Sequence, residues 1–262
     1  MPRRITRTHV VVLGAALLGA CAGQPQVTEV KGACADVYGA QVCTLAHVQG
    51  DSLIDVQATV PLASIDGAPA EAPEAWPPVA VAKLATPASV QAKSGMHELT
   101  VYWEAHGHPP GPYLTPHFDF HFYLEPPAAI AAIDCKDLSK PAQLPDGYTL
   151  PDVALPPEMA QVVGVDSLVG LCVPQMGMHA VPTAELESDH LFTGDMIVGY
   201  FAGKPIFVEP MLTKELLAKK QSFSYPIPDI PGMTGRHPTA FRADWDANAQ
   251  AYHFVFSGFA GT

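Results

Sequence analysis

The segment His117-Phe118-Asp119-Phe120-His121-Phe122-Tyr123-Leu124 constrains the fold more than any other part of the chain. Apolar and polar residues alternate along it with the period of a β-strand, whose successive side chains point to opposite faces. One face carries Phe118, Phe120, Phe122 and Leu124, which need an apolar layer to cover them. A solvated opposite face would be expected to carry Lys, Thr or Glu, yet it holds His117, Asp119, His121 and Tyr123. Similar strands are expected at Leu53–Val60, Leu99–Glu104 and Ala251–Ser257, with a hairpin of Met196–Phe201 and Pro205–Glu209 about Ala202-Gly203. Val162–Val173 reads as one or two further strands, and the proline-rich stretches 66–78 and 141–158 read as loops. Proline accounts for 27 of the 262 residues, roughly twice average usage, which disfavours long helices. Only Pro127–Ile133 and Thr213–Lys220 read clearly as short helices. The expected fold is mainly β (α+β): an antiparallel β-sandwich or barrel with two or three short helices.

The first residues read as an address. Arg3, Arg4 and Arg7 precede an apolar run, Val10 to Leu18, too short to span a bilayer but suited to a signal peptide. Leu18-Gly19-Ala20-Cys21 resembles the bacterial lipobox, in which the Cys is lipidated and becomes the new N-terminus. The domain reading is therefore a lipoprotein signal peptide over 1–20, a tether with the Cys34/Cys43 segment over 21–47, and one β-rich domain over 48–262. Removing the signal peptide takes away three arginines and no acid, which moves the formal net charge from −12 to −15. That charge excludes nucleic acid as a partner. The expected location is the bacterial cell envelope, exported and held to the membrane by lipid; self-association into a homo-oligomer stays open.

Lipidation of Cys21 would leave four of the five cysteines, Cys34, Cys43, Cys135 and Cys172, an even number that suits disulfides in an exported chain. Three pairings are open; Cys34–Cys43 with Cys135–Cys172 is preferred. No two cysteines stand at C-x-x-C spacing, which argues against a thiolate metal site.

The polar face of the phenylalanine strand is the candidate site. Residues i and i+4 of a straight strand are about 13 Å apart, whereas i and i+2 are about 6.6 Å apart. His117 and His121 therefore do not share an ion directly, and Asp119 with one neighbour forms the nucleus. Further ligands would come from His179 in the Met-Gly-Met-His turn, from Glu209, or from His106 and His108 in the preceding loop. The expected set is His117, Asp119, His121, His179 and Glu209 around one divalent metal, with His106, His108 and Tyr123 in support. Two imidazoles and a carboxylate suit zinc, iron or manganese. The competing reading is a buried hydrogen-bond network in a non-enzymatic structural or partner-binding protein. Nucleophile-elbow, zincin, P-loop and dinucleotide signatures are missing, so no reaction is assigned.

Four motifs occur in order: Gly107-His108-Pro109-Pro110, His117–Tyr123, Met176-Gly177-Met178-His179 and Phe207-Val208-Glu209-Pro210-Met211. Together they resemble the TTHB-two-ten-like domain, a bacterial family of unknown function, over residues 48–262. The resemblance implies an exported β-rich domain and no assigned activity. Replacing Cys21 with Ser is expected to release the protein from the membrane fraction; a variant that still sediments with membranes would refute the lipid anchor.

Overall fold

The computed structural model describes residues 25–71 and 75–262, so the signal peptide and Cys21 lie outside the described residues. The strands are β1 (Val27–Val37), β2 (Ala40–Gln49), β3 (Ser52–Pro61), β4 (Ala82–Ala85), β5 (Glu98–Glu104), β6 (His117–Tyr123), β7 (Tyr148–Thr149), β8 (Val153–Ala154), β9 (Ser167–Leu168), β10 (Met178–Pro182), β11 (Gly194–Phe201), β12 (Lys204–Thr213), β13 (Ala240–Asp246) and β14 (Ala251–Ser257). They form a five-stranded sheet in the order β1-β2-β3-β14-β13 and a seven-stranded sheet in the order β4-β5-β6-β12-β11-β10-β7, with β8 and β9 paired separately. All the strand pairs are antiparallel, and the sheets are not closed into a barrel, so the architecture is a sandwich.

The phenylalanine face of β6 builds the core between the sheets. Phe120 meets Phe254 of β14 at 4.9 Å between ring centres, and Phe122 meets Phe256 at 4.4 Å. At one corner the Thr44 hydroxyl of β2 donates to Ala85 O of β4 at 2.6 Å, joining the sheets. The other face of the seven-stranded sheet is not left to solvent. Tyr123, Phe207, Ile197 and Val181 on that face pack against Tyr113, Ile130, Ile133, Leu171 and Phe192 from the connecting segments. All seven residues of β6 are consequently buried.

Six helices, each short, replace the two or three expected: α1 (Leu62–Asp66), α2 (Ala88–Ser94), α3 (Pro127–Ala131), α4 (Pro157–Val163), α5 (Thr183–Leu186) and α6 (Lys214–Ala218). Five of them follow an N-cap proline, at Pro61, Pro87, Pro126, Pro156 and Pro182. Proline's fixed φ and missing N–H suit the start of a helix, so the prolines read as loop formers also nucleate single turns. Helix α6 is the exception: the Thr213 hydroxyl caps it by accepting from Leu216 N at 3.2 Å. For the same reason Val162–Val173 is not a strand pair: Pro156-Pro157 begins α4, and only Ser167–Leu168 forms a strand. The β11–β12 hairpin turns through Ala202 and Gly203, both at positive φ, the geometry that matches strand twist.

The polar stretch read as a tether is an edge strand from Val27 onward, and the boundary placed at residue 48 falls inside β2. An edge strand is solvated along much of its length, which gives it a loop-like composition. Cys34 and Cys43 lie opposite each other in the β1–β2 register and are disulfide-bonded, as are Cys135 and Cys172. Two disulfides point to an oxidising, extracytoplasmic location, and no described helix is long and apolar enough to cross a membrane. Converting both Cys34 and Cys43 to Ser is expected to cost about 2–3 kcal/mol in the chain-entropy account. That cost lowers Tm by roughly 5–10 °C. Hydrogen exchange should speed up in β1 and not in β6; unchanged Tm and β1 exchange would show that the strand ladder alone holds the edge.

Candidate metal centre

The outer face of the seven-stranded sheet is a grid set by strand register. Glu104 of β5 lies opposite His117, Tyr102 opposite Asp119, and Thr100 opposite His121. On the other side of β6, Thr213 faces His117 and Met211 faces Asp119. Glu209 falls between the paired positions Met211–Asp119 and Val208–Phe122, which puts it alongside His121. One strand further, Ile197 lies opposite Glu209 and Gly199 opposite Phe207, and His179 of β10 pairs with Gly199.

The expected five-residue site separates into two groups of three: His121, His179 and Glu209 in one, His108, His117 and Asp119 in the other. The five expected ligands therefore do not converge on one cavity. The rise of the strand keeps His117 and His121 about 13 Å apart, so each end of β6 recruits its own carboxylate. Asp119 stands with His117, not with His121. His108, expected in support, is a full member of the second group. His106 belongs to neither; it pairs with Glu71 at 2.9 Å in an exposed position. Tyr123 lies beside the first group with its ring stacked on His121 at 5.7 Å, and its buried hydroxyl has no hydrogen-bond partner among the described residues.

In the first group the ligating atoms converge closely. His121 Nε2 lies 3.2 Å from His179 Nε2 and 3.5 Å from Glu209 Oε2. Metal–ligand bonds of about 2.0–2.1 Å in a tetrahedron put neighbouring ligand atoms about 3.3–3.4 Å apart. His179 Nδ1 donates to Leu171 O at 2.9 Å; the carbonyl can only accept, so Nε2 carries the lone pair and faces the group. Leu171 sits at positive φ beside Gly170, whose N–H donates to the Asp152 carboxylate at 2.8 Å, and the next residue is disulfide-bonded Cys172. That segment is bonded so tightly that it presents one carbonyl to one imidazole. Gly199 makes the space between the strands: a methyl there would overlap the Phe207 ring, which packs against His121 at 4.7 Å and His179 at 5.2 Å.

Burial decides the charge states. His121 is 1% exposed in its side chain and Glu209 2%. Burial, with His179 beside it, pushes the His121 ring down to about 3, and burial pushes His179 down to about 4. Both imidazoles are neutral donors of electron pairs near neutral pH. Burial, aided by the Asp119 charge, pushes the Glu209 carboxyl well above the usual range. In the second group burial also works against the Asp119 carboxylate, but His117 and His108 outweigh it and hold the group well below its ordinary value. The basic side chains within 4 Å of Asp119 and Glu209 among the described residues are all histidines. Tyr102, whose ring meets the His121 ring edge-on at 5.2 Å, also lines a surface cleft of about 570 Å³ with Trp76 and Gln175.

Sequence reasoning missed Glu104, Tyr102 and Asp195. Alternation along β5 puts Tyr102 and Glu104 on one face of that strand, but only the pairing register shows that this is the histidine face. Burial and the Asp119 charge push Glu104 up to about 7, against an opposing pull from His108. Asp195 of β11 accepts from the Tyr113 hydroxyl at 3.2 Å, and burial with nearby Glu185 pushes it up to about 7. A carboxyl raised in the folded chain from about 3.9 when unfolded contributes stability below pH 4 that is lost as pH rises to 7. Asp195→Asn should therefore flatten the loss of stability between pH 4 and 7, by up to about 1.4 kcal/mol per pH unit. Denaturant titrations across that range test it; identical slopes in both proteins would remove Asp195 as the buried acid.

Compared with known proteins, the chain matches no family model, no curated protein and no solved structure, so the likeness to the TTHB-two-ten-like domain rests on the motifs that suggested it.

Proposed function

We propose that the protein is an exported, lipid-anchored metal-binding protein of the bacterial cell envelope, holding a divalent transition metal between His121, His179 and Glu209. One observation carries the reading: two buried electron-pair donors and a half-buried one meet at ligand-to-ligand spacing, with His179 already locked in the ligating tautomer by Leu171 O. Nitrogen and oxygen donors without sulfur suit zinc, iron or manganese better than copper(I). Three protein ligands would leave a coordination position for water or a small substrate, where the metal would act as a Lewis acid. The chain's own contribution would be to hold two neutral imidazoles and one carboxylate in a dry setting, with the Phe207 ring packed against both imidazoles. Lipid anchoring is supported by the Leu18-Gly19-Ala20-Cys21 box, and export by the two disulfides.

A second reading, a hydrogen-bond network in a non-enzymatic protein, is favoured by the 3.2 Å contact between the two Nε2 atoms, one of which can donate to the other. It leaves Glu209 Oε2 buried without a partner, and such an unmet group costs about 1–3 kcal/mol, whereas His121 Nδ1 is unpartnered on either reading. A metal would use Glu209 Oε2. The two readings part in zinc titrations of untagged protein. His179→Ala and Glu209→Gln should each weaken zinc binding at this group by more than the roughly 10–100-fold that losing a supporting hydrogen bond costs. His237→Ala, at an exposed loop histidine, should leave it unchanged. Zinc affinity that is indifferent to His179 and Glu209 would favour the network.

A further inference from the structure

Each group has two buried members and one half-buried member, and in the second group the half-buried one, His108, is on a loop. His117 is fully buried and the Asp119 side chain is 8% exposed, whereas the His108 side chain is 37% exposed. The orientation of both imidazoles is set by the backbone. His117 Nδ1 donates to Thr115 O at 2.7 Å, and His108 Nδ1 donates to Pro109 O at 2.9 Å. Carbonyl oxygens only accept, so whenever either ring is neutral its Nδ1 carries the proton and its Nε2 holds the free lone pair. These Nε2 nitrogens face a carboxylate: His117 Nε2 lies 3.2 Å from Asp119 Oδ1, and His108 Nε2 lies 3.8 Å from Asp119 Oδ2.

Two Nε2 atoms facing a carboxylate need a positive charge between them. A proton on either ring supplies that charge but leaves the closest pair unbonded. His117 Nε2 and Asp119 Oδ1 are close, yet out of hydrogen-bonding alignment, and both are buried with no other partner. A cation equidistant from both has no such directional demand. The loop is shaped to complete the set. Gly107 sits at positive φ, and a side chain there would collide with the backbone of Tyr113 and Thr115. His108 N also donates to Tyr113 O at 3.3 Å. The turn that carries His108 is thus folded onto the segment whose carbonyl orients His117.

We infer that His108, His117 and Asp119 form a second divalent transition-metal site, distinct from the His121 group and open to solvent through His108. Two imidazoles and one carboxylate again suit zinc or cobalt(II). Its exposed ligand makes it the exchangeable site of the pair. It does not require the His121 group to be occupied.

The test is zinc stoichiometry of the detergent-solubilised full-length protein without a His tag, with cobalt(II) absorption as a second readout. Wild type should bind two ions, the weaker one exchanging faster with a chelator. His108→Ala, on a half-exposed loop, should bind one, and Asp119→Asn, close in shape to the native residue, should lose the same ion. His179→Ala should keep the weaker ion and lose the tighter one. A wild-type protein that binds one ion, retained in His108→Ala and lost in His179→Ala, would overturn this second site and leave the proposed function standing. One ion lost in His108→Ala and kept in His179→Ala would support this site and remove the buried one. No ion in the wild type would sink both. Matching thermal melts in the absence of metal would show that the variants fold, and an Asp119→Asn protein that still binds two ions would overturn the assignment.

Discussion

Two buried carboxyl groups whose closest basic neighbours are imidazoles set the terms for the rest of the structure. A charge taken out of water is costly unless something nearby compensates it. Asp119 and Glu209 are taken out of water because the seven-stranded sheet is covered on both faces, by the five-stranded sheet on one side and by the connecting segments on the other. The compensation has to come from the same sheet face. Strand β6 supplies His117 and His121 at its two ends, β10 supplies His179, and the loop before β6 supplies His108. Much of the irregular structure follows from the need to orient these rings. The carbonyls of Leu171, Thr115 and Pro109 each hold one imidazole by its Nδ1 proton.

The sandwich was legible because one pattern is nearly complete in a single strand. Phe118, Phe120 and Phe122 require a second apolar layer, and β14 supplies Phe254 and Phe256 from the last strand of the chain. Strand β6, the β11–β12 hairpin and the last strand were readable from alternation and turn chemistry, because those are properties of neighbouring residues. The candidate ligands were readable as residue types: each of the five expected ones does sit in one of the two groups. Their division between the groups was not readable. It depends on the register that puts Glu209 beside His121, and on a strand order in which β12 and β11 separate β10 from β6. Residues far apart in the chain define that register. His108 was readable as a candidate, but its full membership of the second group was not, because its position depends on Gly107 packing against Tyr113 and Thr115. The first strand was unreadable for the opposite reason: an edge leaves too little buried surface to write an apolar pattern into the sequence.

The Cys135–Cys172 bond gives the buried group a history as well as a geometry. Leu171, the residue before Cys172, supplies the carbonyl that sets the tautomer of His179. Gln175, just beyond, donates its N–H to Ile133 O, two residues before Cys135. The covalent bond and this hydrogen bond together tie residues 171–175 to residues 133–135. A chain whose thiols are still reduced has the strand histidines but lacks the covalent tie on the segment that aims the third donor. On the proposed metal-binding reading, the donor set is complete only once that bond is made, and the ions it then meets are those of the compartment where the disulfide forms.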